Sequence, residues 1–154
     1  MKEVPGIMVD NPLQMLLYTH RIGHLATADG QGGPHMVPVC FAYDGQAIYS
    51  AIDHKPKRRT GYAMKRVRNI LANPRVAFLV HHYEEDWQRL YYVLIRGPAD
   101  ILAAGEERQR ALACLEEKYA QYRDRRLTAS DGLVIKIVPE TSHAWGNLPA
   151  GMSQ

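Results

Sequence analysis

Cysteine is scarce. Only Cys40 and Cys114 occur in 154 residues, in different segments, with no CxxC pair and no histidine-rich spacing around either. A disulfide framework and a structural zinc site are thereby set aside, and the two thiols are read as reduced and mostly buried. Long apolar runs are also missing: the stretch Leu13 to Leu17 is broken by Gln14 and follows Asp10 instead of a basic leader. It is too short to cross a bilayer, so a cytoplasmic protein with no membrane partner is expected. The sequence has no internal repeat, no low-complexity linker and no GxSxG elbow. Ser50, Asp53 and His54 have the residue types of a hydrolytic triad, but they crowd one short segment without that elbow and carry no such reading. The last absence is one of sign: no Asp or Glu lies between His54 and Tyr83, where Lys55, Lys57, Arg58, Arg59, Lys65, Arg66, Arg68 and Arg75 all fall.

What is present fits one folded unit over residues 1–154, with 46% hydrophobic and 23% charged residues. Asp10-Asn11-Pro12 caps a short helix over 11–20, with Leu13, Leu16, Leu17 and His20 at helical spacing. Strands are expected at His24–Ala28, His35–Ala42 and Gln46–Ile52, separated by Asp29-Gly-Gln-Gly-Gly33 and the hairpin signal Asp44-Gly45. Pro38 marks an edge, a bulge or an unpaired point. A helix over Ala63–Ala72 ends at Asn73-Pro74. Strands follow at Arg75–Tyr83 and Leu90–Ile95, with a bend at Gly97-Pro98 before Ile101-Leu102. Glu106 and Glu107 open a third helix with Ala111, Leu112, Leu115 and Tyr119 on its core face. A last strand, Leu133–Val138, precedes a tail over 139–154 that holds Trp145. Six strands joined mainly by short turns, with three peripheral helices, predict a mainly β protein built as a small antiparallel barrel. Such a barrel has little interior volume, so a sizeable ligand must sit outside it, covered by a second subunit.

The cationic island on an otherwise acidic chain points to a local phosphate or carboxylate site more than to a polyanion track. Lys55 and Lys57, kept extended around Pro56, can point to one side, and Arg58 adds a fork suited to phosphate oxygens. Ser50 and Thr60 offer hydroxyls nearby, while a solvated basic turn is the alternative. Metal binding is not expected, since His81 and His82 are consecutive on a strand and point to opposite faces. His35, His54 and His143 are each candidates for proton transfer. Trp87 and Trp145 stand at ends of predicted elements, where they cap the barrel or wall a planar ligand.

The segments "RIGHLATADGQGGPHMVPVCFAYDGQAIYSAIDHKPKRR", "RNILANPRVAFLVHHYEEDW", "IRGPADIL" and "HAWG" occur in this order from Arg21 to Gly146. In that order they resemble the pyridoxamine 5'-phosphate oxidase-like FMN-binding split barrels, most of all the deazaflavin-dependent oxidoreductase branch. The resemblance implies a homodimer of six-stranded split β-barrels with FMN or the deazaflavin coenzyme F-420 at the subunit interface. It also implies that Met36, Val37, Pro38 and Val39 run along the cofactor ring, and that Ser50, Ala51, Lys55, Lys57 and Arg58 hold its phosphate. Trp87 and Trp145 would lie near the ring, one of them from the partner subunit. The implied activity is hydride transfer between the cofactor and a small conjugated substrate, with no protein acid or base assigned. No arginine follows Trp145 in Gly-Asn-Leu-Pro149, so oxidation of pyridoxamine phosphate itself is not expected. Two other readings compete: a non-catalytic protein that stores or senses flavin or haem, and a nucleic-acid-binding barrel suggested by the basic island with Tyr91 and Tyr92. Because the excess charge is confined to one segment, nucleic acid is not expected as the partner.

Overall fold

A twelve-residue strand organises the molecule. In the computed structural model, residues 11–52 and 61–149 are described, and β6 (Tyr91–Leu102) joins the two halves of one curled antiparallel sheet. The first half of β6 pairs with β5 (Arg75–His82) on one side and β8 (Thr141–Gly146) on the other. Its last residues pair with β7 (Val134–Ile137). Beyond β5 lie β1 (Gly23–Ala28) and then β2 (Pro34–Val39); beyond β7 lie β4 (Ile48–Ala51) and β3 (Ala42–Tyr43). The architecture is the expected mainly β split barrel with peripheral helices, but with eight strands among the described residues in place of six.

Two differences account for the count. The run His35–Ala42 is interrupted at Cys40 and Phe41, so that β2 ends one edge of the sheet and β3 begins the other. Pro38 accordingly sits on an edge strand, where its missing N–H costs no ladder bond. The second difference is β8, which forms within the segment expected to be tail. β6 continues without interruption through Gly97-Pro98, where it passes from β5 and β8 to β7; the Pro98 carbonyl accepts from the Val138 amide and the Arg96 carbonyl from the Glu140 amide. Gly97 is required there: a Cβ would overlap the Val138 carbonyl oxygen as the chain passes from β7 to β8. At the other end of β8, Gly146 has φ +91° and lies against the Leu90 carbonyl, so a side chain is excluded by both conformation and space.

The sheet's inner face carries the main core. Strand alternation turns Leu25, Phe78, Val80, Val93 and Ile95 inward, where they meet Ile48, Ile135 and Ile137 from the other half. Phe41 meets Phe78 edge to face, with ring centres 4.9 Å apart. The barrel openings are covered by α1 (Asn11–Thr19), through Leu13, Leu16 and Leu17, and by α2 (Lys65–Ala72), through Val67 and Ile70. Burying each such Leu or Ile stabilises the fold by about 1.5–3 kcal/mol. The buried Asn69 amide donates to the Thr27 hydroxyl at 2.9 Å and fixes α2 on β1. A second core lies between the opposite face of β3, β4 and β7 and α3 (Glu106–Lys118), whose Ala111, Leu112 and Leu115 pack on Tyr49, Ala51 and Val134. The Tyr49 hydroxyl and Lys136 ammonium both reach the Glu107 carboxylate, at 2.8 and 2.7 Å, which holds that carboxyl below its usual range. A short helix α4 (Ala120–Asp124), not foreseen from spacing, follows α3.

Candidate functional site

Among the described residues, no helix covers the outer face of the sheet half formed by β2, β1, β5, β6 and β8. Register aligns Pro38, His24, Leu79, Leu94 and His143 in one row, and Met36, Ala26, Ala77, Arg96 and Thr141 in the next. A third row holds His81, Tyr92 and Trp145. This face is mostly apolar, and it remains open: Met36 is 65% exposed and Trp145 50%. Trp145 stacks on Tyr92 with ring centres 5.6 Å apart and planes 19° off parallel, forming an aromatic ledge at the end of the sheet near the β5–β6 turn. Trp87 lies in that turn, 71% exposed, and its indole N–H reaches the Tyr83 hydroxyl at 3.4 Å. Tyr92 was not singled out as a cofactor contact from sequence, and only its pairing with Trp145 marks it.

Other expected site residues are placed as follows. Along β2, Met36 and Pro38 face outward, while Val37 and Val39 turn toward the core, so at most alternate residues of this strand can lie along a ring. Ser50 is only 2% exposed and Ala51 packs under α3, so neither side chain lies open to a ligand. Lys55, Lys57 and Arg58 lie outside the described residues, as do Asp53, His54 and Thr60. His35 has a buried Nδ1 with no partner, and His143 is exposed with its ring 6.2 Å from Tyr92. Met36 and Trp145 stand on opposite edges of this sheet half, four strand spacings apart, or about 19 Å along the sheet. A single tricyclic ring does not span that separation.

One residue of the cationic island is distinguished by its surroundings. Arg66, in the first turn of α2, is partly buried, and its Nε is shielded from solvent with no hydrogen-bond partner. Burial lowers its pKa from the usual arginine value, and among the described residues no carboxylate pairs with it. An acceptor oxygen that reached this Nε–H would compensate its shielding from water. This donor is suited to an oxygen of a phosphate or carboxylate. Nothing in the sequence separates Arg66 from the seven other cations of the island; its burial does.

Among the described residues, no group of three or more His, Cys, Asp or Glu is arranged to hold a metal, and no helix is long and apolar enough to cross a membrane.

These features meet in a known family. Residues 12–146 match the family model described as pyridoxamine 5'-phosphate oxidase, and the chain belongs to that family. Its fold is shared with a conserved hypothetical protein, Rv2991, of Mycobacterium tuberculosis: 21% identity over 95% of this chain and 89% of the other, TM-score 0.72. It is also shared with HutZ, the heme storage protein of Vibrio cholerae: 17% identity over 91% of this chain and 95% of the other, TM-score 0.69. A protein described as an F420 reductase is 26% identical over 84% of this chain and 94% of its own, with a TM-score of 0.57. Among curated proteins, none matches by sequence.

Proposed function

We propose that this protein is an oxidoreductase that binds FMN or coenzyme F-420 and passes a hydride between the cofactor and a small conjugated substrate. The observation that carries the reading is Arg66, a partly buried guanidinium without an anion, directly after the cationic stretch in a member of the pyridoxamine 5'-phosphate oxidase family. In this reading Lys55, Lys57 and Arg58 join Arg66 in holding the phosphate, while Met36 and Pro38 line the ring. Clustered cations there also favour negative charge on the bound group. The cofactor supplies the hydride chemistry, and the protein supplies position, electrostatics and exclusion of water. The similarity to an F420 reductase supports the deazaflavin alternative.

The working unit in this reading is a homodimer in the cytoplasm. The strand Met36–Val39 and Trp145 lie too far apart in one chain to touch the same ring, so the Trp145–Tyr92 ledge serves the ring bound by a second copy. The open, mostly apolar outer face gives that copy a surface to bury. Sedimentation should report a dimer at micromolar concentration, and a monomer that binds FMN or F-420 with full affinity would sink this part of the reading. Nucleic acid has no role in it, so physiological salt should abolish retention on single-stranded DNA or RNA.

A second reading, haem storage or sensing without catalysis, is favoured by the shared fold with HutZ. Titration of the purified protein with FMN, F-420 and haemin separates the two. Saturable, phosphate-dependent binding of FMN or F-420 supports the oxidoreductase, whereas a Soret band with no flavin or deazaflavin binding supports storage.

A further inference from the structure

Two arginines stand on the outer face of the sheet, and only one of them has a partner. Strand alternation brings no Asp or Glu to this face: the outward positions of β2, β1, β5, β6 and β8 are apolar, aromatic, histidine, threonine or arginine. Arg75, at the start of β5, is paired with Glu140 from the β7–β8 connection at 2.8 Å. Arg96, on β6, is exposed between Ala77 of β5 and Thr141 of β8, with Leu94 two residues before it and Pro98 two after. Among the described residues no hydrogen bond or ion pair reaches its guanidinium.

We propose that the small conjugated substrate of this protein is an acid, and that Arg96 holds its carboxylate. The inference rests on the function proposed above, in which a second copy covers this face. Covering it takes water from the Arg96 guanidinium, and a desolvated cation needs an anion. Two-fold pairing lays the same surface of each copy on the other, so what arrives over Arg96 is a face with arginines and no carboxylate. Glu140, at the rim, is already held by Arg75. The cofactor phosphate is assigned elsewhere, since Arg66 stands on α2 at a barrel opening. The substrate remains as the source of the anion. Position agrees with this: Arg96 shares the row of Met36, three strand spacings or about 14 Å away, and lies four residues along β6 from Tyr92, about 13 Å. It therefore stands near both ring contacts of the reading without occupying either. A planar guanidinium fork matches the two oxygens of a carboxylate and so also orients the conjugated system attached to it. A neutral amide in the same place leaves the guanidinium without its anion, so the site selects by charge. Residue order does not separate Arg96 from the other cations; its place on a face without carboxylates does.

The test uses the full chain loaded with FMN or F-420 and titrated calorimetrically with two conjugated acids, cinnamate and 2-naphthoate, and with their neutral carboxamides. Wild type should bind at least one acid about tenfold or more tightly than its amide. Arg96→Met should bind acid and amide alike, Arg96→Lys should restore part of the preference, and Arg75→Met should keep it in full. Affinity of Arg96→Met for FMN and F-420, and its sedimentation as a dimer, should match wild type. Loaded wild type that binds neither acid, or binds acid and amide equally, overturns the proposal and leaves the cofactor reading standing. So does an Arg96→Met variant that keeps the preference. Loss of FMN or F-420 affinity in Arg96→Met would give the guanidinium to the cofactor, and dissociation of that variant into monomers would give it to the second copy; either result overturns the proposal. Failure of wild type to bind FMN or F-420 at all contradicts the function proposed above, and this inference falls with it.

Discussion

Arg108 and Arg66 each stand in the first turn of a helix, α3 and α2, and their surroundings could hardly differ more. Arg108 is 6% exposed, and its guanidinium donates to the Gly132 carbonyl at 2.9 Å, the Ser130 carbonyl at 2.7 Å and the Gln109 side chain at 2.6 Å. It ties the chain entering β7 to the start of α3, and its charge is compensated by the protein itself. The Nε of partly buried Arg66 is shielded from water without gaining any such partner. A buried charge that the fold has satisfied is part of the fold, whereas one left unsatisfied is retained at a cost that only another molecule offsets. The same contrast separates the two faces of the sheet: the inner one is filled, and the outer one is mostly apolar, open and carries Arg96, unpaired among the described residues.

Four substitutions sharpen this contrast. The largest effect belongs to the satisfied side: Gly97→Ala drives a methyl into the Val138 backbone, where no flexible side chain can yield. A loss of roughly 3–5 kcal/mol or outright failure to fold should appear in urea unfolding. Arg108→Met strips two carbonyls of their donor and should cost roughly 2–4 kcal/mol by the same measurement, with no specific loss of cofactor affinity in the folded fraction. Arg66→Met should behave in the opposite way. Without cofactor its stability should equal or exceed that of wild type, while affinity for FMN or F-420 falls roughly ten- to a hundredfold. Riboflavin, which has the ring and no phosphate, should bind weakly and respond little. Lys57→Ala should repeat that pattern; equal affinity of Lys57→Ala and wild type for every phosphate-bearing cofactor would reduce the cationic stretch to a solvated turn.

The smallest effect concerns a cation between the two extremes. Lys118 is partly buried, 3.9 Å above the Phe41 ring centre, with a long 3.4 Å bond to the Leu17 carbonyl. Burial, then the nearby Arg21 charge, pushes its pKa down to about 8. Between that value and the usual lysine value of about 10.4, the unfolded chain holds a proton that the folded chain has released, so stability rises with pH across this window. Lys118→Met should abolish that rise, as seen in denaturation midpoints between pH 8 and 10. A wild-type midpoint that falls over the same interval, corrected by the variant, would contradict the assignment.

Sequence periodicity revealed most of the scaffold, because core elements announce themselves by what they bury. Leu13, Leu16 and Leu17 on α1, Leu112 and Leu115 on α3, and the alternation of β5 all follow that rule. Strand β8 does not: five of its six residues are exposed, so no apolar alternation marks it, and only the backbone of β6 makes it a strand. The site divides in the same manner. Its cationic stretch was legible as charge, and the tryptophans as rare large rings. The isolation of Arg66, the stacking of Trp145 on Tyr92 and the place of Arg96 on a face without carboxylates depend on register and burial, which residue order alone does not carry.

The most direct test of the central claim is fluorescence and absorption titration of wild type and Arg66→Met with FMN, riboflavin and F-420, with folding monitored in parallel. The account requires saturable binding of FMN or F-420 by wild type, a loss of roughly ten- to a hundredfold in Arg66→Met, and little change for riboflavin. Failure of wild type to bind either phosphate-bearing cofactor, or full retention of binding in a folded Arg66→Met variant, would contradict it.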